Sequence, residues 1–153
     1  MDSEKTAFLK EVLLVVDGSA ESEAAVAFAL RLALGLGSRI LAVYVVDTSA
    51  MDYLQQMKIF ISEERNELEA SIGAKGKAYL ARAQNLAKAV NVPLETQLLR
   101  GRLHREVLNL ARQRAVDAIV IGGRKGLYRD KDLSTVEREI LLDQATIPVL
   151  VIK

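Results

Sequence analysis

Cysteine and tryptophan are absent from the 153 residues, and histidine occurs once. Without cysteine there is no disulfide, no Cys-x-x-Cys redox pair, no thiolate zinc site and no thiol nucleophile. A lone histidine, His104, excludes a His-rich metal cage, so no metal site is expected. Charge of one sign is also lacking: 21 Lys and Arg stand against 20 Asp and Glu, a formal net charge of +1. No overall field marks the chain for nucleic acid or an acidic membrane surface, and neither is expected as a partner. The longest apolar stretch, Ala24 to Leu36, is interrupted by Arg31 and falls short of the roughly 18 residues a spanning helix needs. The opening residues, MDSEKTAFLK, have no basic start leading into an apolar run, so the expectation is a cytoplasmic chain without a secretory signal.

The chain is half hydrophobic and 27% charged, which is the composition of a globular protein. A folded chain of this length hides roughly 70% of the surface its unfolded form exposes, enough for one core without staples. With no repeat, linker or composition shift, residues 1–153 read as one domain, with 1–10 a flexible N-terminal lead.

Short apolar, β-branched runs alternate with helical periodicity. EVLLVV (Glu11 to Val16) is a strand of the kind covered on both faces. Gly18 and Ser19 turn the chain into a helix whose apolar face is Ala25, Phe28, Ala29, Leu32 and Ala33, with Gly35 and Gly37 as left-handed stops. RILAVYVV (Arg39 to Val46) is the second strand. A long helix from about Glu63, preceded by a short one, carries Leu68, Ile72, Tyr79, Ala83, Leu86 and Val90 as its stripe, with a bend favoured at Gly73 or Gly76. LETQLLR (Leu94 to Arg100) alternates polar and apolar residues as an edge strand does. A helix with Leu103, Val107, Leu110 and Ala111 inward leads to DAIVIGG (Asp117 to Gly123). A helix with Leu133, Val136, Ile140 and Leu141 leads to IPVLVIK (Ile147 to Lys153). Five strands alternating with helices specify an α/β domain with a parallel sheet, whose ligands bind at the carboxyl ends of the strands.

That rim gathers Asp17, Asp47, Arg100 to Arg102 and Gly122 to Gly126. Between Arg100 and Lys131 nine cations stand against three acids. An excess of positive charge beside glycine turns and helix N-termini suits an anionic phosphate, though such runs are also ordinary solvated surface. Arg102, Arg124 and Lys125 form the candidate anion rim, which would take a small phosphorylated molecule. Asp17 is placed either to hold a ribose hydroxyl or to cap local amides. His104 has no carboxylate partner visible in sequence and reads as a surface residue rather than a general base. Glu63, Glu64, Glu67 and Glu69 read as a solvated helix face, and Met51, Tyr53, Met57 and Phe60 as a lid, a partner surface or ordinary core. No catalytic residue is assigned.

VVDGSAESEAA, AVYVVD, the Gly101 turn, VDAIVIGGRKG, the Ser134–Thr135 pair and PVLVIK, in this order and spacing, resemble the universal stress protein family across about Glu11 to Lys153. The resemblance implies a three-layer, Rossmann-like open sheet of five parallel strands in the order 3-2-1-4-5. It also implies a homodimer paired through the last strand, here Val149, Leu150, Val151 and Ile152. In the family's nucleotide-binding branch it would assign adenosine contacts to Asp17 and Val45 and phosphate contacts to Gly122, Gly123, Gly126, Ser134 and Thr135. The family's glycine motif is altered: Lys125 stands where the second glycine falls, Gly126 comes one place late, Ser134 replaces the third, and the loop is short by about a residue. Glycine serves such loops because a Cβ blocks the approach of amides to phosphate. The sequence therefore resembles the branch that does not retain ATP, and implies a homodimeric stress-response module that interacts or signals with protein partners. The alternative is an adenine-nucleotide switch that holds ATP with magnesium and hydrolyses it slowly.

Overall fold

The computed structural model describes residues 8–59, 61–123 and 133–153. In chain order they form β1 (Glu11–Val15), α1 (Ala20–Leu36), β2 (Arg39–Asp47), α2 (Ser49–Gln56), α3 (Ser62–Ala89), β3 (Leu94–Gly101), α4 (Leu103–Arg114), β4 (Ala118–Gly122), α5 (Leu133–Gln144) and β5 (Val149–Ile152). The strands make one parallel sheet in the order β3-β2-β1-β4-β5. Registers such as Leu13↔Leu41, Leu13↔Ile119 and Ile121↔Val151 fix it.

Strand periodicity splits the core in two. Val12, Leu14, Val16, Ile40, Ala42 and Val120 point to the face covered by α1 and α3; Leu13, Val15, Leu41, Val43, Ile119 and Ile121 point to the face covered by α4 and α5. Helices on both faces leave β1 and β4 buried along their whole length, which is why both read as unbroken apolar runs. Leu13, Leu14, Ile40 and Leu41 are fully buried, each worth roughly 1.5–3 kcal/mol.

Punctuation falls where chemistry requires it. Ser19 caps α1, its Oγ accepting from Ser22 N at 3.1 Å, and Gly37 ends the helix at φ +71° with its N–H on the Ala33 carbonyl. Pro93 and Pro148 precede β3 and β5 and supply only carbonyls, to Ile40 N and Ile119 N. The N-terminal lead is anchored further back than expected: Leu9 is buried in the core and Lys10 N donates to Asp117 Oδ2 at 2.8 Å.

Two helix faces differ from the periodic reading. On α1 the buried positions are Ser22, Ala25, Val26, Ala29, Leu30 and Ala33, while Phe28 is exposed. On α3 the packed stripe is Gly73, Gly76, Leu80, Ala83 and Ala87; Leu68, Tyr79, Leu86 and Val90 stay 37–46% exposed. The physical reason is the Tyr44 ring on β2. A Cβ at Gly76 would stand 2.4 Å from it, so only a residue without a side chain lets α3 lie on the sheet there. Gly76→Ala is therefore expected to destabilise by about 1–3 kcal/mol through overpacking, although alanine is the better helix former. At Gly73 the nearest atoms to an added Cβ lie at 3.9 Å, and Gly73→Ala is expected to stabilise by up to about 1 kcal/mol. Urea unfolding of the two variants checks the opposite signs.

Candidate functional site

The strand order reverses between β1 and β4, and the crevice outside their carboxyl ends is where an open α/β sheet takes a ligand. Asp17 follows β1 into this crevice. Its Oδ1 accepts from Ser19 N at 2.9 Å and from Ser19 Oγ at 2.5 Å, and its own N–H donates to Ser22 Oγ at 3.0 Å. Of the two roles open in sequence, the capping one is occupied: Asp17 builds the turn that starts α1. Gly18 makes that turn at φ +80°, and a Cβ there would stand 2.4 Å from the Tyr79 ring. Tyr79 stacks on Tyr44 with centroids 6.2 Å apart. Burial, followed by the neighbouring Tyr79 and Asp17, holds the Tyr44 hydroxyl above its ordinary pKa.

Gly122 ends β4 against the first turn of α1. A Cβ on it would meet Glu21 C at 2.5 Å and Ser22 N at 2.8 Å. Gly123 N–H donates to the Ile152 carbonyl and ties β4 to β5. One charged group standing at the crevice is a residue that sequence reasoning missed, Arg138 of α5. It is buried, its guanidinium donates to the Gly122 carbonyl, and its Nη1 stands 3.9 Å from Asp17 Oδ2. The signal was present: Glu137 and Arg138 interrupt a helix whose stripe otherwise reads apolar, and Glu137 lies one turn from Leu141 at the centre of that stripe.

The other candidates are distributed differently. Val45 packs against the α4–α5 side of the core. Thr135 sits partly exposed in the first turn of α5, and Ser134 shares that turn. Arg124, Lys125 and Gly126 lie outside the described residues, as does Phe60. Of the anion rim, Arg102 is described; it is exposed and stands before α4. Met51 is core, whereas Tyr53 and Met57 are exposed.

Two residues assigned to solvent by sequence are held in place. His104 is largely buried, with Nδ1 2.7 Å from Glu137 Oε1, and its backbone N–H donates to the same oxygen at 3.2 Å. An ionised carboxylate only accepts, so the imidazole proton belongs on Nδ1. Glu69 accepts two bonds from Arg100, at 2.7 and 2.8 Å, and one from Arg65 at 3.0 Å. The Arg100 guanidinium, reinforced by Arg65, holds the Glu69 carboxyl below the usual carboxylate range. Because the folded pKa is depressed, this contribution is present above the unfolded value and is lost as pH falls through the folded one. Glu69→Gln is expected to cost about 1 kcal/mol at neutral pH, reduced by solvent around Arg100. The gap between variant and wild type should close on acidification below the ordinary carboxylate range, measured as melting temperature against pH.

A five-stranded 3-2-1-4-5 sheet with its polar groups gathered at the switch point defines an α/β protein of the Rossmann-like, crevice-forming class. The universal stress protein family matches residues 9–153. The chain is 30% identical over 148 residues to the universal stress protein MJ0531 of Methanocaldococcus jannaschii, covering 94% of this chain and 82% of that one. Its fold is shared with a universal stress family protein from Burkholderia pseudomallei (TM-score 0.73, 24% identity, 94% and 96% of the two chains). It is shared also with the universal stress protein of Archaeoglobus fulgidus solved in complex with dAMP (TM-score 0.63, 21% identity, 96% and 99%). The chain belongs to the universal stress protein family. Among the described residues, no helix is long and apolar enough to cross a membrane.

Proposed function

We propose that this universal stress protein works as a homodimeric stress-response module that interacts or signals without turning over a metabolite, and that its own side chains engage one another in the switch-point crevice. The observation that carries the reading is the closed set Asp17, Ser19, Gly122 and Arg138. A ribose hydroxyl approaching Asp17 Oδ1 would share that oxygen with both Ser19 bonds, each worth about 0.5–1.5 kcal/mol net, and Oδ2 faces Arg138 at 3.9 Å. A phosphate drawn to Arg138 must compete with the Gly122 carbonyl and Asp17. Gly122 is already filled on its open side by α1 backbone, so its lack of a side chain serves packing.

Thermal unfolding with and without millimolar Mg-ATP or dAMP tests this. A ligand specific to the folded state at about 100 times its dissociation constant adds roughly 2.7 kcal/mol. At about 2–4 °C per kcal/mol for a chain of this size, that is a shift of several degrees. The expected result is no shift. An upward shift that disappears in Asp17→Ala would replace the reading with its alternative, an adenine-nucleotide switch holding ATP with magnesium and hydrolysing it slowly. That second reading is favoured by the dAMP complex of the Archaeoglobus fulgidus protein and by a buried guanidinium already standing at the crevice.

A further inference from the structure

A second cavity, of about 520 Å3, opens between α2, the start of α3, Arg102 and α5. It uses none of Asp17, Gly122 or Thr135, and its charges are not mutually satisfied. Arg65 on its wall is neutralised: Nη2 is 2.7 Å from Asp52 Oδ1, Nε 3.0 Å from Glu69 Oε1, and Nη1 donates to Gln55 Oε1 at 2.7 Å. Two lining groups of opposite sign remain. Arg102 has no ion pair or hydrogen bond to its guanidinium among the described residues. Glu137 is only 3% exposed; its Oε1 takes the His104 ring and backbone N–H groups, while its Oε2 has no partner among the described residues.

Glu137 Oε2 is not a buried orphan and is reached from the cavity, where a charged donor is the best partner for it. The exposed guanidinium on the same cavity is free to take a carboxylate in the planar, two-point geometry it favours. A purely anionic ligand would be opposed by Glu137, a purely cationic one by Arg102. A molecule carrying both charges satisfies the two at once. Val136 and Ile140 flank Glu137 in the lining and offer an apolar wall, and the volume lies in the range of small-molecule pockets.

We propose that this cavity binds a small zwitterion of the α-amino-acid class with an aliphatic side chain, its ammonium on Glu137 and its carboxylate on Arg102. His104 acts as a positioning residue, fixing the Glu137 carboxylate through Oε1 and leaving Oε2 for the ligand. The site goes beyond the interaction-module reading and stands independently of whether a nucleotide binds in the switch-point crevice. In a stress-response module it would supply the signal that the closed crevice does not.

The test is isothermal titration of the full chain with L-leucine, alongside leucine amide, which lacks the carboxylate, and isocaproate, which lacks the ammonium. Leucine is expected to bind more tightly than either truncated probe. Arg102→Gln, at an exposed position, is expected to keep the fold and weaken leucine at least about 10-fold while leaving leucine amide unchanged, the loss of one charged contact. Glu137→Gln is expected to weaken leucine and leucine amide alike while leaving isocaproate bound; should that variant fail to fold, Arg102→Gln decides alone. No heat with millimolar leucine, equal binding of the three probes, or leucine affinity unchanged in Arg102→Gln would overturn the proposal. The Mg-ATP melting experiment addresses different residues, so the two readings fail separately.

Discussion

Gly122→Ala is expected to lose about 3 kcal/mol of stability, and Gly122→Val to leave little folded protein. The atoms an added Cβ would strike are Glu21 C at 2.5 Å, Glu21 O at 2.6 Å and Ser22 N at 2.8 Å, all backbone of the first turn of α1. A flexible side chain could swing aside; a helix start held by Ser19 and tied to Asp17 cannot do so without breaking those bonds. Overpacking costs typically about 1–3 kcal/mol and occasionally more, against a total stability of roughly 5–15 kcal/mol for a domain. Gly35→Ala is the control. Nothing lies within 4 Å of its added Cβ, and it sits in the same helix, so it should be neutral or stabilising by up to about 1 kcal/mol. Urea midpoints measure both, and a Gly122→Ala midpoint equal to that of wild type would mean that α1 and β4 approach less closely.

If the proposed dimer pairs through β5, Val151→Glu is expected to convert it into a monomer. β5 is an edge of the sheet, pairing with β4 alone, and Val151 is its one exposed residue. An apolar edge with unpaired N–H and C=O groups is a template for a second copy. In a two-fold interface each substitution occurs twice, so two unpaired carboxylates would be buried together. At about 2 kcal/mol or more per buried charge the dissociation constant should rise by roughly a thousandfold or more. Sedimentation velocity across a concentration series gives the answer. A wild type that sediments as a monomer would remove the homodimer from the proposed function, and a variant that remains dimeric would move the interface away from β5.

Much of the architecture could be read from residue order. Alternating apolar runs and helical segments named the parallel α/β sheet, and Pro93, Pro148, Ser19 and Gly37 marked the boundaries the structure uses. What misled was residue size. In α3 the large residues Leu68, Tyr79, Leu86 and Val90 drew the stripe in sequence, whereas the packed surface is made of Gly73, Gly76, Ala83 and Ala87 around Leu80. A hydrophobicity pattern cannot register that a tyrosine on a neighbouring strand fills the space a side chain would take.

The site was half legible for a related reason. Asp17 and Gly122 stand where strand ends and turns made them conspicuous, but the same two features serve a cap and a close helix approach as well as a ligand. Arg138 and Glu137 were passed over because charge inside an amphipathic helix normally faces water, although Glu137 falls within the apolar stripe. Only the fold, by bringing α5 across the ends of β1 and β4 and beside His104, gives those charges partners 16 to 121 residues away: 16 for Gly122, 33 for His104 and 121 for Asp17.

The stacked Tyr44 and Tyr79 rings, lodged between Gly18 and Gly76, give the protein a built-in optical reporter. With no tryptophan to drain their excitation, this pair supplies two of the four tyrosines that give the chain its ultraviolet emission and near-ultraviolet circular dichroism. One ring rides on β2 and the other on α3, beside the turn that holds Asp17. Any event that shifts α3 or opens that turn changes the angle between two coupled chromophores, and so can be followed in the unlabelled, unmodified chain.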